Sequence, residues 1–157
     1  MDWTSQIVAA HQRIEPYIRR TPVLDDVDLD LPKPVEIKLE QLQHTGSFKA
    51  RGAFNTLLSG DIRAAGLVAA SGGNHGAAVA YAAQQLTYPA HIFVPELAGT
   101  AKINLIKRTG ATLSVVPGAY VDALRAARTY EAETGAMQIH AYDAVPTVAG
   151  QGSVLLE

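Results

Sequence analysis

The regular alternation of short apolar runs with helical patterns about ten residues long is the feature that most constrains this chain. Apolar runs predict strands at residues 35–39, 67–70, 91–94, 111–116 and 137–140, and helical spacing predicts helices over 7–14, 49–58, 77–86, 101–108 and 121–134. This order is typical of a parallel sheet that carries helices on both faces. The sequence therefore predicts an α/β fold.

Charge and residue usage exclude several classes of function. The formal net charge of −2 provides no basic excess for a nucleic-acid backbone. The absence of cysteine excludes disulfides and thiolate metal sites. The first residues lack the pattern of a secretion signal, and no apolar stretch approaches the roughly 20 residues that cross a bilayer. We therefore expect a cytoplasmic protein with neither a nucleic-acid nor a membrane partner.

Lys49 is the candidate nucleophile, and it lies in residues 45–52, TGSFKARG. A lysine in a helix is most often a solvated surface charge, but the neighbours of this one favour another role. Gly46 permits unusual backbone angles, Ser47 can cap the helix, and Phe48 provides a flat apolar side chain beside the amine. A lysine desolvated against apolar surface has a lowered pKa and can attack an aldehyde to form a Schiff base.

A glycine-rich loop, residues 70–76 (ASGGNHG), joins a predicted strand to a predicted helix. It could be a simple turn with an asparagine cap, or a loop whose N–H groups meet an anion at the helix N-terminus. Gly72 and Gly73 would allow close backbone approach. Its hydrogen-bonding side chains are Ser71, Asn74 and His75. The loop lacks the Gly-Lys-Ser/Thr ending of a Walker loop and the glycine spacing of a dinucleotide-binding fingerprint.

The remaining titratable residues give no comparable signal. No acid or second histidine follows His75 at i+4, so a local zinc-type pair is excluded, and we predict no metal site. A solvated helix face explains Asp122, Glu131 and Glu133. The other histidines, which we expect to have core or surface roles, are His11, His44, His91 and His140.

Together these segments resemble the fold-type II pyridoxal-phosphate enzymes, most closely the group of serine/threonine dehydratases (threonine ammonia-lyases) and serine racemases. The resemblance also includes residues 20–22 (RTP), 38–40 (KLE) and 149–153 (AGQGS), so it runs through the whole chain. It implies a small α/β lobe whose parallel sheet is flanked by helices, together with incomplete pieces of a larger lobe.

The resemblance implies a role for each motif residue. Lys49 would hold pyridoxal 5′-phosphate as a Schiff base and, once freed, would remove the α-proton of the substrate. Phe48 would flank the pyridine ring, and Asn74 would hydrogen-bond the ring hydroxyl. The carboxylate of an amino-acid substrate would be received by the loop residues Ser71, Gly72, Asn74 and His75 with their backbone amides.

The reaction that the resemblance implies is α,β-elimination of L-threonine or L-serine to a 2-keto acid and ammonia. In the racemases the position of Gly72 is a serine that acts as acid and base on the opposite face of the substrate, so glycine favours elimination. Serine racemase, or another β-replacement enzyme such as cysteine synthase or threonine synthase, is an alternative within this fold. The residues do not choose between threonine and serine.

Members of this group are longer than the chain, so we expect it to be their amino-terminal part. Residues 1–49 would begin the larger lobe and end at the cofactor lysine, residues 50–142 would form the small lobe, and residues 143–157 would return to the larger lobe. Residues 150–153 (GQGS) read as the start of a helix that is then cut short. The missing portion would supply the phosphate-binding loop, so we expect weak cofactor binding by this chain alone.

Two readings of the chain from other classes stay open. A catalytically silent lobe is the alternative to an enzyme, and the exposed apolar surface of its incomplete segments would favour self-association. A nucleotide-binding domain is disfavoured because no acidic ribose partner lies at the expected distance. For the full-length enzyme the resemblance implies a homo-oligomer, either a dimer or a tetramer.

Overall fold

The computed structural model describes residues 1–62 and 64–157, which form six helices and six strands. In chain order these are α1 (Trp3–Ile14), β1 (Val23–Val27), β2 (Val35–Lys38), α2 (Lys49–Ser59), β3 (Leu67–Ala70), α3 (Asn74–Gln85), β4 (Ala90–Pro95), α4 (Thr100–Arg108), β5 (Thr112–Val116), α5 (Tyr120–Thr134), β6 (Met137–Gln138) and α6 (Val145–Gly152). Short 3-10 helices occupy Glu15–Tyr17, Glu40–Leu42, His44–Gly46 and Ser153–Leu156.

The central element is a four-stranded parallel sheet in the order β5-β4-β3-β6. All four side chains of β3 are buried, as expected for a strand that is covered on both faces. One face of the sheet, with Leu67, Ala69 and Ile92, packs against α2, α3 and α4. The other face, with Val68 and Phe93, packs against α5. The predicted fold class is therefore confirmed.

Helix α2 joins the sheet layer to the rest of the chain, because it packs against α3 on one side and against α1 and α6 on the other. Its contact with α6 is a close approach of two backbones. A Cβ on Gly150 would lie 2.6 Å from the carbonyl oxygen of Arg51 and 2.9 Å from the Cα of Gly52. Strands β1 and β2 form a separate antiparallel pair. The predicted lobe boundaries at residues 49 and 142 stay a prediction.

Two expectations drawn from the residue pattern are wrong. Residues 150–153 end a helix instead of starting one, because α6 begins at Val145 with Pro146 in its first turn, a position that suits proline. Ser47 does not cap α2, since Phe48 holds the N-cap position. The hydroxyl of Ser47 is buried and has no hydrogen-bond partner among the described residues. None of the helices described here is long and apolar enough to cross a membrane.

Candidate active site

The strand order brings several loops to one edge of the sheet. From β3 the chain proceeds through β4 to β5 on one side and then returns to place β6 on the other side. Ligands of open α/β sheets bind at such a reversal, beyond the carboxyl ends of the strands. A cleft of about 520 Å³ lies there, lined by Lys49 and by residues from the loops that follow all four strands.

Lys49 begins α2 and directs its amine toward this cleft. The amine donates a hydrogen bond to the carbonyl oxygen of Ala141 at 3.1 Å. It lies 5.0 Å from the centre of the Phe48 ring and 4.6 Å from the centre of the Tyr142 ring. Burial lowers the pKa of the Lys49 amine, which increases the unprotonated fraction that can act as nucleophile or base.

The turn before Lys49 has an unusual backbone that a buried glutamine supports. Thr45 and Gly46 have φ values of 63° and 76°, in the left-handed region that glycine adopts readily and threonine rarely does. The Gln43 side chain accepts a hydrogen bond from the N–H of Arg19 at 3.0 Å and donates one to the Arg19 carbonyl at 2.7 Å. It also accepts from the N–H of His44 at 3.0 Å. The turn is therefore tied to the segment that precedes β1.

Arg51, two residues after Lys49, fixes α2 to Glu40 in the segment that follows β2 and to Glu157. Its side chain is fully buried, and it binds both oxygens of Glu40 at 2.8 Å and the oxygens of Glu157 at 2.8 and 2.9 Å. Lys38 contacts Glu157 at 3.0 Å. Although burial opposes it, hydrogen bonding to Arg51 lowers the pKa of both glutamates, that of Glu157 to about 2. Bidentate bonding of this kind holds α2, and with it Lys49, in a defined position.

The loop after β3 faces Lys49 across the cleft. The hydroxyl of Ser71 accepts a hydrogen bond from the N–H of Gly73 at 3.1 Å. Helix α3 begins at Asn74, an exposed residue of the cleft wall, and the N–H groups of a first turn have no intrahelical partners. A Cβ added to Gly73 would meet nothing within 4 Å, so the space above this residue is open. The loop therefore presents free donors to an open space.

Gly72 differs from Gly73 because its surroundings leave no room for a side chain. A Cβ on Gly72 would overlap the Cβ of Ala98 and lie 3.2 Å from the Cδ of Pro95 and 3.3 Å from a methyl carbon of Val94. The backbone of Gly72 does not have a positive φ, so packing and not conformation requires glycine here. The loop after β4 thus closes directly over this residue.

His75 lies at the cleft but uses its ring internally. The residue is 5% exposed, and Nε2 lies 2.9 Å from the carbonyl oxygen of Ile139. Because a carbonyl can only accept, Nε2 carries the hydrogen. Burial lowers the pKa of His75 to about 4, with smaller contributions from the charges of Lys49 and His140. The ring is therefore neutral near pH 7.

The structure brings the predicted site residues together. Lys49, Ser71, Gly72, Asn74 and His75 all line the cleft, and Phe48 lies beside the amine of Lys49. Their individual roles toward a ligand stay predictions. Within the described residues no cluster of three or more histidines and acids could hold a metal ion.

Sequence reasoning missed the aromatic residues Tyr120 and Tyr142, which line the cleft and are exposed in this chain. Both come soon after a strand that ends at the reversal edge, and this position could have identified them. By contrast, His44 stacks on Tyr81, and His91 bonds the hydroxyl of Ser114 at 2.8 Å, so both have partners away from the cleft.

Comparison with known proteins agrees with the geometry. The family model described as "Pyridoxal-phosphate dependent enzyme" matches residues 14–157. A serine racemase from Oryza sativa subsp. indica is 38% identical over 152 residues, which cover 94% of this chain and 45% of that protein. An L-threo-3-hydroxyaspartate ammonia-lyase from Pseudomonas sp is 39% identical over 155 residues, which cover 96% of this chain and 49% of that protein. The chain therefore spans about half the length of these relatives.

Two solved structures share the fold. Maize serine racemase superposes with a TM-score of 0.90 at 36% identity, covering 97% of this chain and 47% of that one. The T.th. threonine deaminase superposes with a TM-score of 0.86 at 40% identity, covering 97% of this chain and 49% of that one. The chain belongs to the pyridoxal-phosphate-dependent enzymes of fold type II, whose cofactor is pyridoxal 5′-phosphate.

Proposed function

We propose that the protein to which this chain belongs eliminates water from L-threonine or L-serine and releases a 2-keto acid and ammonia. One observation carries the proposal: the amine of Lys49, with its lowered pKa, shares a cleft with the free N–H groups at the start of α3. An amine that can take a proton and donors that can bind a carboxylate are the two groups that chemistry at the α-carbon of an amino acid needs.

The residues present fit the cofactor. A partly buried lysine amine with a lowered pKa, close to two aromatic rings, suits attachment to an aldehyde, and the open space above Gly73 leaves room for a ligand. Phe48 would flank the pyridine ring, and Asn74 would bond the ring hydroxyl. When bound, pyridoxal phosphate supplies the electron sink that makes loss of the α-proton possible.

The chain's own residues would bind the substrate and move its proton. The hydroxyl of Ser71 and the first-turn N–H groups of α3 would receive the carboxylate, with His75 contributing its backbone because its ring is already bonded to Ile139. The Lys49 amine would take the α-proton and pass a proton to the β-hydroxyl, which would leave as water. Addition of one water then releases ammonia, so the net reaction converts the amino acid to a keto acid and ammonia.

Gly72 supports elimination over racemisation within this family. In the racemases a serine at this position is the acid and base on the second face of the substrate. Here the packing of Ala98, Pro95 and Val94 excludes any side chain at residue 72. Racemases and ammonia-lyases are both similar to the chain, so this packing is the feature that favours the lyase reaction.

For the whole protein we further propose a homo-oligomer, a dimer or a tetramer, in the cytoplasm. Sedimentation of the full-length protein would distinguish a dimer or tetramer from a monomer, which would contradict this part of the proposal.

The first experiment is to mix the chain with pyridoxal phosphate, reduce the mixture with borohydride and locate the adduct by peptide mass mapping. We expect labelling concentrated on Lys49 and absent from a Lys49→Arg variant, with Lys102 as the internal reference for an ordinary lysine. Scattered labelling would contradict an activated Lys49 in this chain.

The full-length protein is then assayed with L-threonine and L-serine. Keto acid formation would support the lyase, D-serine as the main product would support the racemase, and labelling of Lys49 without turnover would support the silent lobe.

A further inference from the structure

A short segment, residues 139–142, connects the first turn of α3, which contains His75, to Lys49. At one end, the N–H of Ile139 donates to the carbonyl of Val68 in β3 at 2.9 Å, and its own carbonyl accepts from the ring of His75 at 2.9 Å. Two residues later, the carbonyl of Ala141 accepts from the amine of Lys49 at 3.1 Å. The segment is thus held at both ends by groups of the cleft.

We propose that His75 is a positioning residue for Lys49, and that its ring holds the 139–142 segment so that the Ala141 carbonyl fixes the amine in the cleft. The proposal rests on the proposed role of Lys49 and assigns to the histidine ring a task other than binding the substrate. The Ala141 carbonyl is a backbone group, and no side-chain substitution removes it. Its role is therefore tested through His75, which binds the neighbouring residue Ile139.

The chemistry of the ring suits this task. Donation from Nε2 to a carbonyl selects one tautomer, in which Nδ1 has no hydrogen. The titratable groups that face the ring are Lys49 from α2 and His140 from the segment itself, and both charges oppose a second proton on His75. The ring therefore keeps one tautomer and one charge state while Lys49 gains or loses a proton beside it.

The segment is also held by a local hydrogen bond from the N–H of Ala144 to the carbonyl of Tyr142 at 2.8 Å, and the ring of His75 is the side chain that ties it to the first turn of α3. The carbonyl of His140 accepts from the Thr147 hydroxyl at 3.3 Å, a longer bond that comes from α6. The aromatic ring of Tyr142 lies over the Lys49 amine but is 68% exposed, so it is not itself held by packing. The 2.9 Å bond from the buried His75 ring binds the segment two residues before Ala141.

The test measures the pKa of Lys49 without cofactor, by competitive acetylation of the chain over a range of pH and mass mapping of the Lys49 peptide. In His75→Leu, which keeps the bulk but removes the donor, we expect the Lys49 pKa to rise toward its ordinary value because the amine is less buried. A rise of about half a unit would reduce the unprotonated fraction near neutral pH roughly threefold.

The conservative variant His75→Gln, whose amide can donate from a similar reach, should retain most of the wild-type value. His91→Leu is the matched control for His75→Leu, since it removes the side-chain bond of another histidine, the one between His91 in β4 and Ser114 in β5. A folded His75→Leu with the wild-type Lys49 pKa would overturn the proposal, as would a His75→Gln that behaves like His75→Leu.

A second measurement needs no variant and keeps the proposal testable if His75→Leu does not fold. Nitrogen NMR of the histidine ring should show a hydrogen on Nε2 and none on Nδ1 between about pH 5 and 8. The opposite tautomer would overturn the proposal. Failure of pyridoxal phosphate to label Lys49 would contradict the proposed function instead, because neither of these readouts uses the cofactor.

Discussion

Arg51 and Glu157 are 106 residues apart in sequence and form two charge-assisted hydrogen bonds of 2.8 and 2.9 Å. The guanidinium is fully buried and the glutamate side chain is 5% exposed, so solvent screens the pair little. The two carboxylate oxygens of Glu40 accept hydrogen bonds from Nε and from one terminal nitrogen of the same guanidinium. Helix α2, which starts with Lys49, is therefore held in place by these ion pairs as well as by packing.

Acid should destabilise the chain because of this pair. Hydrogen bonding to Arg51 holds the folded-state pKa of Glu157 at about 2, below its ordinary value of 4.5, although burial alone would raise it. A depressed acid pKa stabilises the fold fully above the ordinary value, and this contribution is lost as the pH falls toward 2. We expect the urea unfolding free energy to fall by on the order of 2–3 kcal/mol from this group. Glu157→Gln should flatten the slope of the unfolding free energy against pH. An unchanged slope would contradict the assignment of this effect to Glu157.

Removing the guanidinium should cost more than removing a surface charge. Arg51→Met leaves Glu40 and Glu157 as poorly solvated carboxylates, and breaking a buried pair in this way typically costs about 3–5 kcal/mol. Arg51→Lys should recover only part of the loss, since an ammonium cannot bind both carboxylates in a bidentate manner. Arg125→Met is the control, because its pair with Asp122 is exposed and is worth less than about 1 kcal/mol. Equal losses of unfolding free energy in Arg51→Met and Arg125→Met, measured with urea, would argue against a structural role for Arg51.

Gly150→Ala should strongly destabilise the contact between α2 and α6. The new Cβ would lie 2.6 Å from the Arg51 carbonyl oxygen and 2.7 Å from the Cβ of Asn55, and the backbone atom cannot move without shifting α2. Overpacking of this kind costs about 1–3 kcal/mol or more. Gly99→Ala is the matched control, because its Cβ would meet nothing within 4 Å. The melting temperatures of the two variants should differ, and similar values would show that the helices can separate at little cost.

Gly72 and Ala98 should be energetically coupled. Gly72→Ala would overlap the Ala98 side chain, and Ala98→Gly would remove the obstacle. We expect the single Gly72→Ala variant to be destabilised and the double variant to recover part of the loss. The coupling free energy from urea unfolding should be in the range of about 0.5–3 kcal/mol for residues in contact. Additive effects of the two substitutions would contradict the packing argument, and Gly73→Ala should be tolerated.

The sequence predicts the sheet layer better than the segments around it. The patterns of β3 and α2 are strong because every β3 side chain is apolar and one face of α2 is apolar along its length. Both elements begin at the predicted residues. Strand β1 is not among the predicted strands, since its two aspartates break the apolar alternation and its pairing with β2 makes it a strand. The pattern at residues 150–153 places the start of α6 too late, because glycines resemble a helix boundary, whereas the helix begins at Val145 beside Pro146.

The candidate site divides in the same way. Lys49 and the loop after β3 are found from local motifs, because lysine and glycine-rich loops have recognisable chemistry. Tyr142 and Ala141 are brought beside Lys49 by the return of the chain to β6, a juxtaposition across more than ninety residues that no local pattern contains. The ring of His75 likewise binds a carbonyl 64 residues away, so its internal role could not be read from its neighbours in sequence.

The two edges of the parallel sheet differ in their tendency to recruit another chain. At one edge β6 is only two residues long, which leaves little backbone for pairing, a common way to prevent aggregation. At the other edge β5 has five residues without a charge, and Val115 is 52% exposed. Intermolecular strand pairing should therefore begin at β5. Val115→Lys should slow thermal aggregation, as measured by light scattering. An unchanged rate would show that aggregation begins at another surface.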